Sequence, residues 1–250
     1  MIHIHNLHKY FGKFHALQDI NLSLQAGQCI SLIGPNGSGK TTLIKSILGM
    51  IVPSSGSIQV HRQDITQAWS YRQHIGYMPQ IGQYPENMRI EQVFDMMMNI
   101  RNMQAAQLDQ ELYEAFKLNH IRDKRMRTLS GGTRQKVSAC LAFMFQPDIL
   151  ILDEPTAGLD PLATEILKEK IIQEKEKGKL ILITSHILSD LDELVSEIIY
   201  MQDGRVRFHE ALATLKAHTG TDRLGKAIAQ IMNQPTILKQ NAQLHESENH

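Results

Sequence analysis

Residues Gly34–Thr42 read GPNGSGKTT and meet every position of the pattern G-x-x-x-x-G-K-[ST]. The chemistry open to such a run is the holding of a nucleoside triphosphate. Gly34, Pro35, Asn36, Gly37, Ser38 and Gly39 form a loop that can turn its main-chain N–H groups, which all but Pro35 carry, inward around phosphate oxygens. Lys40 can reach the β- and γ-phosphates, Thr41 offers a hydroxyl to a metal, and Thr42 continues into a helix whose unpaired first donors favour an anion. An ordinary glycine-rich turn is the bland alternative, and the apolar strand before it and helical run after it argue against that. A second chemical feature is ILILDEP, residues 149–155, where an apolar run ends in two adjacent carboxylates. Asp153 can approach a metal directly or through water, while Glu154 can face the γ-phosphate and orient an attacking water. A purely structural acidic pair at a strand end is the competing reading. Third, LSGGTRQK at 129–136 opens a helix with Ser130, Gly131 and Gly132, a second small-residue helix start suited to phosphate.

Those residues need elements to position them. Cys29–Ile33 (CISLI) is a short apolar run that predicts a buried strand, and TTLIKSILG after it has apolar residues at helical spacing. Further buried strands are predicted at Asp148–Leu152 and Lys179–Thr184. Alternating patterns at Met1–His8, Asn21–Leu24 and Gly56–Val60 predict a small antiparallel sheet beside the phosphate loop, and the stretch from Pro85 to about Phe145 reads as mainly helical. The expectation is an α/β fold with a helical lobe inserted into a parallel-sheet nucleotide domain. His3 and His5 share a strand face, but no Cys or acidic ligand lies near them in sequence, so they read as solvated positions rather than a metal site. Met96, Met97 and Met98 suggest thioether ligands for Cu(I). Consecutive helical residues point about 100° apart, however, which favours packing or an adaptable surface.

The chain has 250 residues with 26 basic and 26 acidic side chains, so no global field draws it to nucleic acid or an anionic membrane. Its two cysteines, Cys29 and Cys140, fall in a strand and a helix and read as reduced core residues of a cytoplasmic protein. No secretory leader is expected at the start, and apolar runs such as Ile149–Leu152 and Leu180–Ile183 are far shorter than the about 20 residues a spanning helix needs. Beyond His218, Leu224–Met232 can form an amphipathic helix, Pro235 interrupts it, and the polar HESENH end is expected to be disordered, a short peripheral appendage. His245 and His250 do not make a metal site by themselves.

Taken in order, the phosphate loop, Gln80 after IGYMP, the LSGG segment, the acidic pair, the turn Gly158-Leu159-Asp160 and His186 in ITSH resemble the ATP-binding cassette family of ATPases. The resemblance covers roughly residues 1–210 and implies a P-loop NTPase, RecA-like core with an antiparallel β subdomain and an inserted α-helical subdomain. It places the nucleotide-binding domain at 1–217, its helical subdomain at about 85–145, and a C-terminal tail at 218–250. It further implies ATP and Mg²⁺ as ligands, with Thr41, Gln80 and Asp153 at the metal and Lys40, Gln80, Glu154 and His186 in catalysis. A head-to-tail homodimer is implied, in which each site joins one chain's phosphate loop to the other's Ser130, Gly131 and Gly132, with Asp160 communicating across it. Phe11 matches the aromatic that stacks on adenine, although the adjacent Tyr10 could serve instead. Thr133 departs from the family's commoner Gln. The implied partner is an integral-membrane permease, gripped through the region Tyr84–Met103, with the ATPase on the inner face of the cell membrane and no nucleic-acid partner. GYMPQIGQYPENM, LSGGTRQKVSACLAF and DEPTAGLDPLA are similar to the ATPase subunit of Nos-type transporters, which assist copper-site maturation of nitrous-oxide reductase and imply a periplasmic maturation protein as a further partner. An ABC-2-type exporter ATPase for lipid, polysaccharide or drug is the neighbouring reading. A cassette acting on ribosomes or DNA is a third, disfavoured by the single phosphate loop, the two cysteines and the lack of sustained heptads.

Overall fold

Two kinds of apolar pattern, alternating and continuous, produce two sheets. The computed structural model describes residues 1–66, 69–185, 192–221 and 224–233. Its strands are β1 (Ile2–Phe11), β2 (Phe14–Leu24), β3 (Cys29–Ile33), β4 (Ser55–Val60), β5 (Gln63–Asp64), β6 (Ile75–Met78), β7 (Ile149–Asp153), β8 (Leu180–Thr184), β9 (Glu197–Gln202) and β10 (Arg205–Ala211). Its helices are α1 (Lys40–Ile47), α2 (Ile90–Arg101), α3 (Glu111–Ala115), α4 (Gly131–Phe143), α5 (Pro161–Glu176), α6 (Leu212–Thr219) and α7 (Leu224–Asn233).

The alternating stretches pair as an antiparallel sheet in the order β2-β1-β4-β5. On β1, Ile2, Ile4 and Leu7 are buried while His3 and His5 face solvent, as a half-covered antiparallel strand requires. The continuous apolar runs form the second sheet, β10-β9-β3-β8-β7-β6, parallel from β9 to β6 with β10 antiparallel at one edge. Successive residues of these strands enter opposite cores, as a period of two demands. Ile30, Leu32, Ile149, Ile151, Leu180 and Leu182 pack toward α1 and the antiparallel sheet. Cys29, Ile33, Leu150, Leu152, Ile181 and Ile183 pack toward the helical side, against α2, α4 and α5. The architecture is the expected P-loop NTPase core with its antiparallel and helical subdomains. Cys29 and Cys140 are free and buried, and burial pushes the Cys29 thiol up to about 12.

The C-terminal region differs from the expected peripheral appendage. Leu224, Ile228 and Ile231 of α7 join the same core cluster as α4 and α5, because their helical spacing gives one apolar face. The boundary expected at 217/218 falls inside α6. Pro235, the HESENH end, and His245 and His250 lie outside the described residues, as does His186. No helix among the described residues is long and apolar enough to cross a membrane.

Lys170 of α5 ties the helical lobe to the core. Its side chain is 1% exposed and reaches Asp109 and Glu111 at the entry to α3 as well as Glu174 one turn along α5. Glu174 also meets Lys177 and Lys179. Burial pushes the Glu174 carboxyl up, but hydrogen bonds from Lys177 and Lys179 and the charges of Lys179 and Lys170 pull it down further, to about 2 from 4.5. A depressed acid stabilises the fold fully above its unfolded value and loses that contribution as pH falls through its folded one. Glu174→Gln is therefore expected to flatten the acid limb of stability between about pH 4.5 and 2, read from urea midpoints across that range; an unchanged limb relative to the parent chain contradicts the assignment.

Candidate functional site

The phosphate loop joins the carboxyl end of β3 to the start of α1, where the sheet edge opens. Two of its glycines are dictated by space. A β-carbon on Gly34, at φ +150°, would sit 2.0 Å from the Met201 carbonyl oxygen. At Gly39, with φ +104°, it would sit 2.8 Å from the Ala16 carbonyl oxygen, so the loop is wedged between β9 and β2. Lys40 curls back over the loop and its Nζ donates to the Gly34 and Pro35 carbonyls at 2.7 and 3.1 Å. Burial lowers the Lys40 pKa, opposed by the charges of Glu154 and Asp153. The first N–H groups of α1 have no earlier carbonyl to bond and face outward from the helix start.

Two strands away, β7 ends in the acidic pair, with β8 between. Asp153 lies opposite Thr184 in the β7–β8 register, and Leu32 of β3 pairs with Thr184 from the other side. Thr184 Oγ1 donates to Asp153 Oδ1 and accepts from the Glu154 N–H at 3.1 Å. Glu154 adopts φ +50°, a left-handed conformation that costs a residue with a β-carbon about 1–3 kcal/mol. The cost falls at the point where the chain leaves the sheet and Glu154 enters the cleft. Asn36, Gly37, Ser38, Gly39, Lys40, Thr41 and Thr42 share this cleft of about 400 Å³ with Gln80, Asp153, Glu154, Thr184 and Ser185.

Ser130, Gly131, Gly132 and Asp160 are brought to one another rather than to this cleft. Ser130 caps α4 by accepting from the Thr133 N–H at 3.2 Å, and its Oγ lies 2.9 Å from Thr133 Oγ1. A β-carbon on Gly132 would come 2.6 Å from the Gly158 carbonyl oxygen, so the two turns approach backbone to backbone. Asp160 caps α5 through the Ala163 N–H and receives the Lys136 ammonium at 2.6 Å; hydrogen bonds from Lys136 and Ala163 hold its carboxyl below the usual range. Ser130 and Gly131 are exposed at the open start of α4, giving the chain a second surface with unpaired helix donors.

The aromatics sit on the β1–β2 hairpin beside the cleft. Phe11 ends β1 beneath the Lys9 ammonium, 5.0 Å from its ring centre, and does not border the cleft. Tyr10 stacks on His15 with ring centres 3.9 Å apart. Phe14 and Ala16 border the cleft instead, because they lie two apart on β2 and share the strand face turned toward it. Phe14 lies opposite Phe11 in the hairpin and is 63% exposed. Sequence reasoning also passed over Thr184 and Ser185, whose one signal is that the apolar run LILI ends in two hydroxyl residues.

The residues present fit a nucleotide triphosphate with a hard cation. Ser38 Oγ is buried in the loop with no hydrogen-bond partner among the described residues. The Thr41 hydroxyl, the Gln80 amide oxygen and the Asp153 carboxylate are all oxygen donors on one cleft, the ligand type that suits Mg²⁺.

Comparison with known proteins agrees with this geometry. The protein-family model described as ABC transporter matches residues 17–157. The Nod factor export ATP-binding protein I of Cupriavidus metallidurans is 33% identical over 212 residues, an alignment covering 82% of this chain and 69% of that one. Among solved structures, an ATP-binding subunit of an ABC transporter superposes with a TM-score of 0.87 at 26% identity, covering 93% of this chain and 99% of the other. The dimeric structure of MJ0796, a bacterial ABC transporter cassette, shares the fold with a TM-score of 0.73 at 23% identity, over 85% of this chain and 99% of that one. With this family match and these relatives, the chain that carries the phosphate loop, the acidic strand end and the second helix start belongs to the ABC transporter family and is one of its ATP-binding ATPase subunits.

Proposed function

We propose that this ATPase powers an exporter in the membrane by closing two copies of itself around ATP. The observation that carries this reading is the split of its phosphate-binding features between two surfaces, the cleft and the Ser130–Gly132 patch. One chain cannot apply both to a single triphosphate, whereas a head-to-tail pair applies one of each at two sites. The dimeric MJ0796 cassette lends support through its shared fold. In each site the phosphate loop and Lys40 hold the phosphates, Ser130, Gly131 and Gly132 of the second copy close on them, and Asp160 lies beside that closing surface. Glu154 positions and polarises the attacking water, and His186 contacts the γ-phosphate. Mg²⁺, when held by Thr41, Gln80 and Asp153, neutralises charge developing on the transferred phosphoryl group. Thr184 keeps Asp153 and Glu154 in register with one another. Phe14, with Phe11 opposite it on the hairpin, supplies the aromatic surface for adenine.

Gln80 borders a second groove of about 920 Å³, with Tyr84, Met97 and Arg101 on its walls. Thr41, Gln80 and Asp153 line both openings, so a permease helix seated in this groove is coupled to the nucleotide through these three residues. Residues 1–217 form the nucleotide-binding unit, with its helical subdomain at about 85–145, and the tail from 218 acts through the packing of α7 on that unit. The export reading is favoured by the relative's name, Nod factor export ATP-binding protein I. A Nos-type role with a periplasmic maturation protein rests on the three segments GYMPQIGQYPENM, LSGGTRQKVSACLAF and DEPTAGLDPLA.

Glu154→Gln is expected to cut phosphate release about 100-fold or more while ATP binding persists, as removal of a general base does; normal turnover rules out its role as base. The composite site has its own test. Lys40→Ala and Ser130→Arg are each expected to be inactive alone, while their mixture regains activity, because a hybrid dimer keeps one site with both intact halves. No recovery in a mixture shown to form dimers defeats the head-to-tail arrangement. Affinity capture of the Glu154→Gln chain from its native membrane in ATP is expected to recover a permease whose neighbours decide the cargo. A Nos-type permease with its maturation protein selects that reading, an unrelated exporter permease selects the other, and ribosomal or DNA-repair proteins overturn both.

A further inference from the structure

At the edge of the parallel sheet opposite the cleft, three elements bring His61, His74 and Asp148 together. His61 sits in the turn between β4 and β5, His74 directly precedes β6, and Asp148 directly precedes β7. His74 Nδ1 lies 3.0 Å and His61 Nε2 3.5 Å from the same oxygen, Asp148 Oδ2. The imidazole centres are 4.8 Å apart and tilted by 59°, so the rings converge on the carboxylate rather than stack. Among the described residues, this is the one group of three or more His, Cys, Asp or Glu placed to hold a metal ion, its ligand atoms all within 4.8 Å of one another. None of the three borders the nucleotide cleft.

The donor types suit a metal as well as an ion pair. Tetrahedral zinc with bonds of about 2.0–2.2 Å sets its donors about 3.3–3.6 Å apart; the His61–Asp148 separation of 3.5 Å has that length, while the His74–Asp148 separation of 3.0 Å is a hydrogen-bond length that must open by a few tenths of an ångström around an ion. Two imidazoles and a carboxylate are donors that suit zinc. The β4–β5 turn also runs against local preference. His61 and Arg62 take φ +49° and +66°, positions that Asn and Gly fill far more readily, and this turn directs His61 to Asp148. Behind the ligands, the Gln73 amide nitrogen lies 3.2 Å from His74 Nε2; turning that amide over presents its oxygen to the Nε2–H of a ring that ligates through Nδ1. The side chains are 34%, 39% and 51% exposed in the order His61, His74, Asp148, so water has access as a fourth ligand.

We infer that His61 Nε2, His74 Nδ1 and the Asp148 carboxylate form a three-ligand site for a divalent transition metal of the zinc class. The bound ion is a cross-link between the two sheets, pinning the β4–β5 hairpin to the starts of β6 and β7. Asp148 precedes β7 and Asp153 ends it, so the cross-link anchors that strand from the end opposite the acidic pair.

The test is titration of the metal-free full chain with Zn²⁺ by calorimetry, alongside Co²⁺ absorption spectra, comparing it with His61→Ala and Asp148→Asn. The chain's 12 histidines give a weak background that both variants retain. The expected result is one Zn²⁺ per chain bound at least tenfold more tightly than that background, tetrahedral Co²⁺ bands, and a raised unfolding temperature with Zn²⁺, all lost in both variants. ATP binding by the variants reports that they fold. Equal Zn²⁺ binding in parent and variants, or none above background in the parent, overturns the site and leaves a hydrogen-bonded cluster.

Discussion

The nucleotide cleft depends on the register of three neighbouring parallel strands. Leu32 of β3, Thr184 of β8 and Asp153 of β7 lie level with one another, so the phosphate loop and the acidic pair leave the sheet at the same height. Both faces of this sheet are buried, and the alternate residues of each strand belong to different cores. A slip of one residue would exchange those faces and carry Asp153 away from Thr184. Hydrophobic packing on the two faces thereby fixes the positions of polar groups that it never touches.

Backbone contact does the remaining positioning. Gly34 lies against Met201, Gly39 against Ala16, and Gly132 against Gly158, each at a separation that a β-carbon would violate. The first two lock the phosphate loop between the parallel and antiparallel sheets; the third locks the start of α4 to the turn before α5. These contacts are short and short-ranged, so each surface is rigid in itself. The larger spacing between the two surfaces is carried by the core under the helical lobe and by Lys170, whose buried ammonium joins α5 to Asp109 and Glu111.

Much of this was legible in the sequence because the relevant signals are local. GPNGSGKTT carries its own turn, cap and helix start, ILILD carries its own strand and terminus, and the alternation of Ile2, Ile4 and Leu7 against His3 and His5 declares a half-covered strand. Less legible were residues whose meaning comes from a neighbour far along the chain. Thr184 reads as the polar end of an apolar run until β8 is placed between β3 and β7. Phe14, rather than Phe11, borders the cleft because of the facing of β2 beyond a tight hairpin. Leu224, Ile228 and Ile231 looked like one face of a peripheral helix, and only the core cluster shows what that face covers.

By itself, then, the sequence determined the family, the kind of chemistry and the elements that bear it, since a phosphate loop and a strand-end acidic pair are written in consecutive residues. Only the tertiary structure decided which of these features share a site. It joined residues 34–42 with Gln80, Asp153 and Glu154, set Ser130–Gly132 beside Asp160 on a separate surface, and gathered His61, His74 and Asp148 from three segments. The physical reason is that strand order and register are properties of pairing between distant segments, and no single segment contains them.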